Sequence, residues 1–410
     1  MESTPLFWTV IGILTAQFLL DTLLDYLNFK RFNTHVPPEV RDVYDADNHQ
    51  KSLAYKKANH TFGIYNESCS FLLTLLFLCF GGFDWLDGWL RTFLENPIGL
   101  ALAFFGILML GSSVLSLPFS YYRTFVIEEK FGFNKTTLKT FVLDLLKGWL
   151  LTAVLGGGIL ALVIWLVQQL GPNFWWYAWA LFSVLMICIN FCYTKLIVPL
   201  FNTLSPLEEG KLKKAIETYA ERVGFELKHI FVIDGSKRST KANAYFSGFG
   251  KQKQVTLYDT LIHDLEEQEI VAVLAHEVGH YKRRHIIFNM VTSMVLTGGT
   301  LFLFSVFVNH PELSHAIGVS KPSLHASLVG FALLYCPIST LTGLVMNYVS
   351  RQFEFQADDY AKQTFAAAPL ISSLKKLSQH SLSNLSPHPA YVFFHYSHPP
   401  LVDRIRNLMV

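Results

Sequence analysis

The sequence predicts a mainly α, polytopic membrane protein: seven transmembrane helices, with a small α/β unit inserted between the fifth and the sixth. Of 410 residues, 51% are hydrophobic and only 16% charged, where a soluble domain carries about a quarter of its residues as Asp, Glu, Lys and Arg. Mean hydropathy is +0.33. Seven apolar stretches approach or reach the about 20 residues that a helix needs to cross a bilayer. A net charge of +2 and no long Lys/Arg block leave no basic field for nucleic acid. An aromatic content of 15% excludes a disordered chain.

The apolar stretches run Leu6–Tyr26, Cys69–Trp89, Ile98–Pro118, Leu146–Leu170, Trp175–Ile197, Ile286–Val308 and Leu328–Val349. The first has no basic residues before it and no small-residue cleavage site after it, so it reads as a retained anchor. Positive charge sets orientation. Lys30, Arg31, Arg41, Lys51, Lys56 and Lys57 fill the first connection, and Arg123, Lys130, Lys135 and Lys139 the third. The second holds only Arg91, the fourth none and the sixth only Lys321. This alternation puts the N-terminus outside, and the C-terminus and the segment from about Phe201 to His285 in the cytosol. The sequon Asn59-His60-Thr61 falls on the inner side and is discounted as a glycosylation site. Two parts follow: residues 1–200 with five spans, and residues 201–410 with the α/β unit and two more.

Gln17, Asp21 and Asp25 share a face of the first span, and Asn190 and Asn347 lie in the fifth and seventh. Polar groups at such depths should face protein or water, although Asp25 equally suits a helix end at the interface. Asp84 and Asp87, beside Trp85 and Trp89, read as interfacial. Gly156–Gly158 and Gly298–Gly299 read as close helix contacts. The five cysteines, Cys69, Cys79, Cys188, Cys192 and Cys336, are odd in number and lack a C-x-x-C pair, so they form neither a disulfide framework nor a cysteine metal site. They read as small buried hydrophobes.

After the fifth span the pattern changes. Glu208–Val223 has helical periodicity, His229–Ile233 and Gln254–Tyr258 read as short strands, and Arg238–Gly250 as a loop and strand. A helix follows from Glu266 to about Arg284, with acidic residues in its first turn and Lys282, Arg283 and Arg284 in its last. It contains His276-Glu277-Val278-Gly279-His280. Residues four apart on a helix differ by about 40° in direction, so His276 and His280 can offer two imidazoles to one Zn2+ ion. Glu277 stays beside that point, where it can take a proton from water. His285 lies about 140° further round and cannot join the same site without breaking the helix. A third ligand is better sought in Glu354-Phe355-Gln356-Ala357-Asp358, where Glu354 and Asp358 share a helix face. Glu354 can complete the coordination while Asp358 accepts the free N–H of a ligand histidine.

These residues lead to a resemblance that covers nearly the whole chain. The sequence resembles the type 1 CAAX prenyl proteases, seven-span membrane zinc metalloproteases, in H-E-x-x-H and E-x-x-A-D and in Leu117-Pro118 and the run Phe125 to Asn134. The likeness continues in Pro199 to Asn202, Asp234 to Ser239, Asn243-Ala244-Tyr245-Phe246, Leu257 to Leu261 and Ser397-His398-Pro399-Pro400. The shorter heat-shock-induced membrane proteases share H-E-x-x-H but resemble only the later half. The resemblance implies His276, His280 and Glu354 as ligands of one zinc ion, Glu277 as general base and Asp358 as support. It implies that Asn243, Ala244, Tyr245 and Phe246 form an edge strand that pairs with the substrate backbone, and that His398 and Arg404 steady the tetrahedral intermediate and the scissile region. It further implies a zincin-type protease unit, a water-filled chamber among the helices, and a prenylated C-terminus as substrate in an endoplasmic reticulum or bacterial inner membrane.

Two other readings stand beside it. The same site suits a quality-control protease that clips unprenylated membrane-associated polypeptides. From another class, a zinc transporter or a silent scaffold would use the ligands, but neither role needs the carboxylate of Glu277 between them.

Overall fold

The computed structural model describes residues 4–32, 36–247 and 253–410, apart from the side chains of Ala46, Phe246 and Ser247. Among the described residues, six helical stretches are long and apolar enough to cross a membrane. One of them, Leu138–Phe201, has 64 residues, about 96 Å if straight and so about three bilayer cores. It reverses at Gly171 (φ 55°) and Pro172, and its arms Gly157–Leu170 and Phe174–Cys192 pack together. Counting both arms gives the seven crossings that the apolar runs predict.

Two spans have other bounds than their hydropathy suggests. The second is the helix Ala46–Cys79, which ends where Gly81 turns left-handed (φ 69°). The chain re-enters as the short helix Gly82–Leu90, burying Phe83, Leu86 and Leu90 against Phe7, Leu78 and Phe104. The expected run Cys69–Trp89 therefore straddles a break. Trp85 and Trp89 are exposed, as interfacial residues should be, but Asp87 is buried. Asp87 meets His325 Nε2 at 2.6 Å and accepts from Arg91 Nε at 2.7 Å. The seventh span belongs to a 41-residue helix, Leu324–Thr364, about 60 Å long, which carries Glu354 and Asp358 well past the apolar run.

Within the first span, Gln17 donates to Asp21 at 2.9 Å and accepts from Thr340 of the long helix at 3.3 Å, and Asp25 pairs with His60 of the second span. Asn347 donates to the Phe394 carbonyl, whereas among the described residues Asn190 bonds its own helix, at Met186 O. Gly298 packs against the Trp179 ring. None of the five cysteines is buried: Cys79 and Cys188 are exposed, the others intermediate. Small apolar thiols on a membrane-spanning helix can face lipid, so their hydrophobicity does not demand a protein core.

The α/β unit holds a four-stranded sheet in the order β1 (Leu204–Pro206), β2 (His229–Ile233), β4 (Gln254–Tyr258) and β3 (Ala244–Ser247). β2 and β4 are parallel, with Phe231 opposite Thr256, while β3 runs antiparallel to β4, with Ala244 opposite Leu257. β3 is thus an outer edge. The expected strands appear as β2 and β4, and the loop and strand expected over Arg238–Gly250 contains β3, although residues 248–250 lie outside the described residues. β1 had no signal in the sequence. The helix Glu267–Lys282 begins with a capping box between Glu266 and Glu269, which satisfies free N–H groups of its first turn. It buries Ile270, Leu274 and Val278 in one core with Val255, Leu257, Ile216 and Tyr219.

Candidate active site

The helix Glu267–Lys282 crosses the long helix Leu324–Thr364 at Gly279. A Cβ there would stand 3.0 Å from Ala357 Cα and 3.1 Å from Ala357 O. This close crossing brings Glu354 under the two imidazoles. His276 Nε2 and His280 Nε2 are 3.2 Å apart, and they lie 3.4 and 3.3 Å from the Glu354 carboxylate oxygens. A tetrahedral ion with ligands at about 2.0–2.1 Å needs about 3.3–3.4 Å between ligand atoms. Buried Glu354 Oε2 has no hydrogen-bond partner among the described residues. Three converging donors and an unmatched buried oxygen fit a metal ion, and this is the only such group of His, Cys, Asp and Glu found among the described residues.

The surrounding hydrogen bonds fix both rings. His276 Nδ1 lies 2.8 Å from Asp358 Oδ1, and Asp358 is held by Arg404 through Nη2 at 2.6 Å and Nε at 2.8 Å. His280 Nδ1 lies 3.0 Å from His285 Nδ1, and His285 Nε2 lies 3.0 Å from Gln356 Oε1. With Gln356 Oε1 accepting from His285 Nε2, His285 Nδ1 accepts from His280 Nδ1. Both ligand candidates then present bare Nε2 lone pairs to one point. Burial opposes protonation of His276, but Asp358 and Glu354 outweigh it and lift its pKa to about 9. The same negative potential favours any cation at that point.

The helix does break before His285, the one condition under which that residue could approach the site. Arg284 turns left-handed (φ 62°) and a new helix begins at His285, so the angular argument does not apply. The ring is buried, stacks on Phe353 with 3.9 Å between centroids, and faces His280. No local sequence signal marks a left-handed arginine.

Glu277 projects into a cleft of about 500 Å³ together with the three ligand candidates, Asn243, Ala244, Tyr245, His398 and Arg404. Burial pushes the Glu277 carboxyl pKa up, against the opposing pull of His276 and His280, which suits a proton acceptor near neutral pH. His398 Nε2 is 3.3 Å from Glu354 Oε1. Asn243 Oδ1 accepts from Ala244 N at 2.9 Å, so its donor end is Nδ2. Phe246, in β3, pairs with Val255 of β4, and its side chain lies outside the described residues. Leu370, Leu374 and Leu377, spaced along the helix Ala367–His380, form an apolar wall of the cleft that the sequence reading passed over.

Comparisons with known proteins identify the family. Residues 25–203 match the family described as the CAAX prenyl protease N-terminal, five membrane helices, and residues 206–409 match peptidase family M48. The chain is 36% identical to the CAAX prenyl protease 1 homolog of Arabidopsis thaliana, covering 98% of this chain and 97% of the relative. It is 34% identical to CAAX prenyl protease 1 of Saccharomyces cerevisiae, over 98% and 95%. Among solved structures, the crystal structure of S. mikatae Ste24p superposes with a TM-score of 0.93 at 33% identity, covering all of both chains. Membership of this family implies a bound metal and sets aside the transporter and scaffold readings. The chain belongs to the type 1 CAAX prenyl proteases, multi-pass membrane metalloproteases of peptidase family M48.

Proposed function

We propose that this protein is a zinc metalloendopeptidase that releases the terminal tripeptide from prenylated CAAX proteins. The observation that carries the reading is the placement of Glu277 beside the His276, His280 and Glu354 donors in a cleft bordered by β3. Zinc, when bound, makes water acidic and polarises the scissile carbonyl. His276 is oriented by Asp358 and Arg404, and His280 by His285. Glu277 removes the proton from the attacking water and passes it to the leaving amine. His398, with Asn243 Nδ2 and Arg404 near it, donates to the negative charge that develops on the carbonyl oxygen. The free edge of β3, Ala244 to Phe246, hydrogen-bonds an extended substrate main chain. In this reading residues 1–200 and 201–410 form the membrane part and the protease part, the N-terminus faces outward, and cleavage occurs at the cytosolic side.

The test uses purified wild type and Glu277→Gln, a farnesylated CAAX peptide, the same peptide without lipid, and zinc content. The expected result is cleavage of the lipidated peptide by wild type alone with equal zinc in both proteins, the variant losing at least about a hundredfold. Cleavage of the unlipidated peptide with equal efficiency would move the substrate to unprenylated membrane polypeptides. Equal activity of the two proteins would refute Glu277 as the base.

A further inference from the structure

We infer that Arg351 is a positioning residue for His398, an inference that rests on the role proposed above for that histidine. The His398 side chain is 66% exposed. Among the described residues its polar contacts are Ser397 Oγ, 3.0 Å from Nδ1, and Glu354. Neighbouring side chains therefore do little to hold the ring, and its place is inherited from the main chain leading to it. That main chain leaves the short helix Pro389–His395 at Tyr396. The last carbonyls of a helix have no partner within it; here Phe394 O and the following Tyr396 O are taken by the long helix, which also reaches Val392 O, already bonded by Tyr396 N. Asn347 Nδ2 donates to Phe394 O at 2.8 Å, and Arg351 Nη1 donates to Tyr396 O at 2.6 Å and to Val392 O at 3.3 Å.

Two features separate Arg351 from an ordinary packing residue. It is buried, and its described hydrogen bonds go to main-chain carbonyls alone; a cation at a helix C-terminus is also favoured by the peptide dipoles. In addition, Asn347, Arg351, Glu354 and Asp358 follow one another at spacings of four, three and four, which places them on one face of one helix. Arg351 is thus just under one turn from Glu354 and two residues of main chain from His398. One rigid element sets the distance between the carboxylate and the histidine.

The test is a double-mutant cycle of Arg351→Gln and His398→Ala, with Asn347→Ala as a second route to the same carbonyls should Arg351→Gln fail to fold. Rates are measured on the farnesylated CAAX peptide and on its unlipidated counterpart, and read on whichever the wild type cleaves. His398→Ala is expected to lower kcat about a hundredfold, as loss of one transition-state donor does. Arg351→Gln is expected to lower kcat about tenfold with KM within about twofold, and to add less than about twofold in the His398→Ala background. Zinc content stays equal, and amide exchange quickens at residues 396–398 without changing at 276–280. Equal losses from Arg351→Gln in both backgrounds, or unchanged exchange at 396–398, would overturn the inference while leaving His398 its role. Full activity of His398→Ala would instead overturn the role of His398 itself.

Discussion

Substituting Gly279 by alanine sets two known effects against each other. In an unencumbered helix the change is stabilising by about 1 kcal/mol, because glycine surrenders more backbone freedom. At this position the new methyl would stand 3.0 Å from Ala357 Cα, 3.1 Å from Ala357 O and 3.1 Å from Tyr360 Cβ. Two of these atoms are backbone, so relief requires the helices to part by about 0.5 Å, and overpacking of this kind costs about 1–3 kcal/mol. Glu354 travels with Ala357, three residues along the same helix. The gaps of 3.3 and 3.4 Å from Glu354 to the histidines would widen by a similar amount, where a metal site tolerates about 0.2 Å. Gly279→Ala should therefore lose metal to a competing chelator at least about tenfold more readily, with a lowered melting temperature. Gly343→Ala, on the long helix Leu324–Thr364 with nothing within 4 Å of its Cβ position, is the control and should do neither. Metal analysis against a graded chelator series, alongside thermal unfolding in detergent, reads both. Wild-type metal retention in Gly279→Ala would refute the claim that this crossing sets the site.

Two further predictions concern neighbouring contacts. His285→Ala removes the partner of His280 Nδ1 and should weaken metal retention by about 10–100-fold, with activity partly recovered in excess zinc; an unchanged chelator half-life would count against it. Glu269 is pushed towards higher pKa by burial, but Lys376, Ser372 and the Glu266 N–H outweigh this and hold its carboxyl below the usual range. Its stabilising contribution is thus present above the unfolded carboxylate pKa of about 4.3 and is lost as pH falls through the lower folded value. Glu269→Gln should destabilise by about 1–2 kcal/mol at neutral pH. The gap in melting temperature should close under acid conditions, and a gap independent of pH would refute the linkage.

What the sequence disclosed followed from the range of each signal. H-E-x-x-H and the strands His229–Ile233 and Gln254–Tyr258 are local patterns, and the structure has them where they were expected. Asp87 lay beyond such reading because its partner, His325, is 238 residues away in the chain, and nothing near Asp87 announces it. The place of His285 turns on one backbone angle at Arg284 that no local pattern announces, and the cysteines were misjudged through a rule made for proteins whose only solvent is water. The full length of the helix carrying Glu354 was hidden because hydropathy marks where lipid ends, whereas helical hydrogen bonding continues to Thr364.

If substrates pair with the outer edge of β3 as proposed, that edge also has a bearing on which proteins are safe from this enzyme. A sheet edge recognises only N–H and C=O groups held in an extended line, and those groups are already engaged in any segment that is helical or lies within a sheet. Under that pairing, folded neighbours in the same membrane would be invisible to it whatever their sequence. Susceptibility becomes a matter of loose ends: a tail frayed for a few residues qualifies, and one capped by structure does not. Proline, which has no N–H to offer, would shield a tail at the positions that donate to β3.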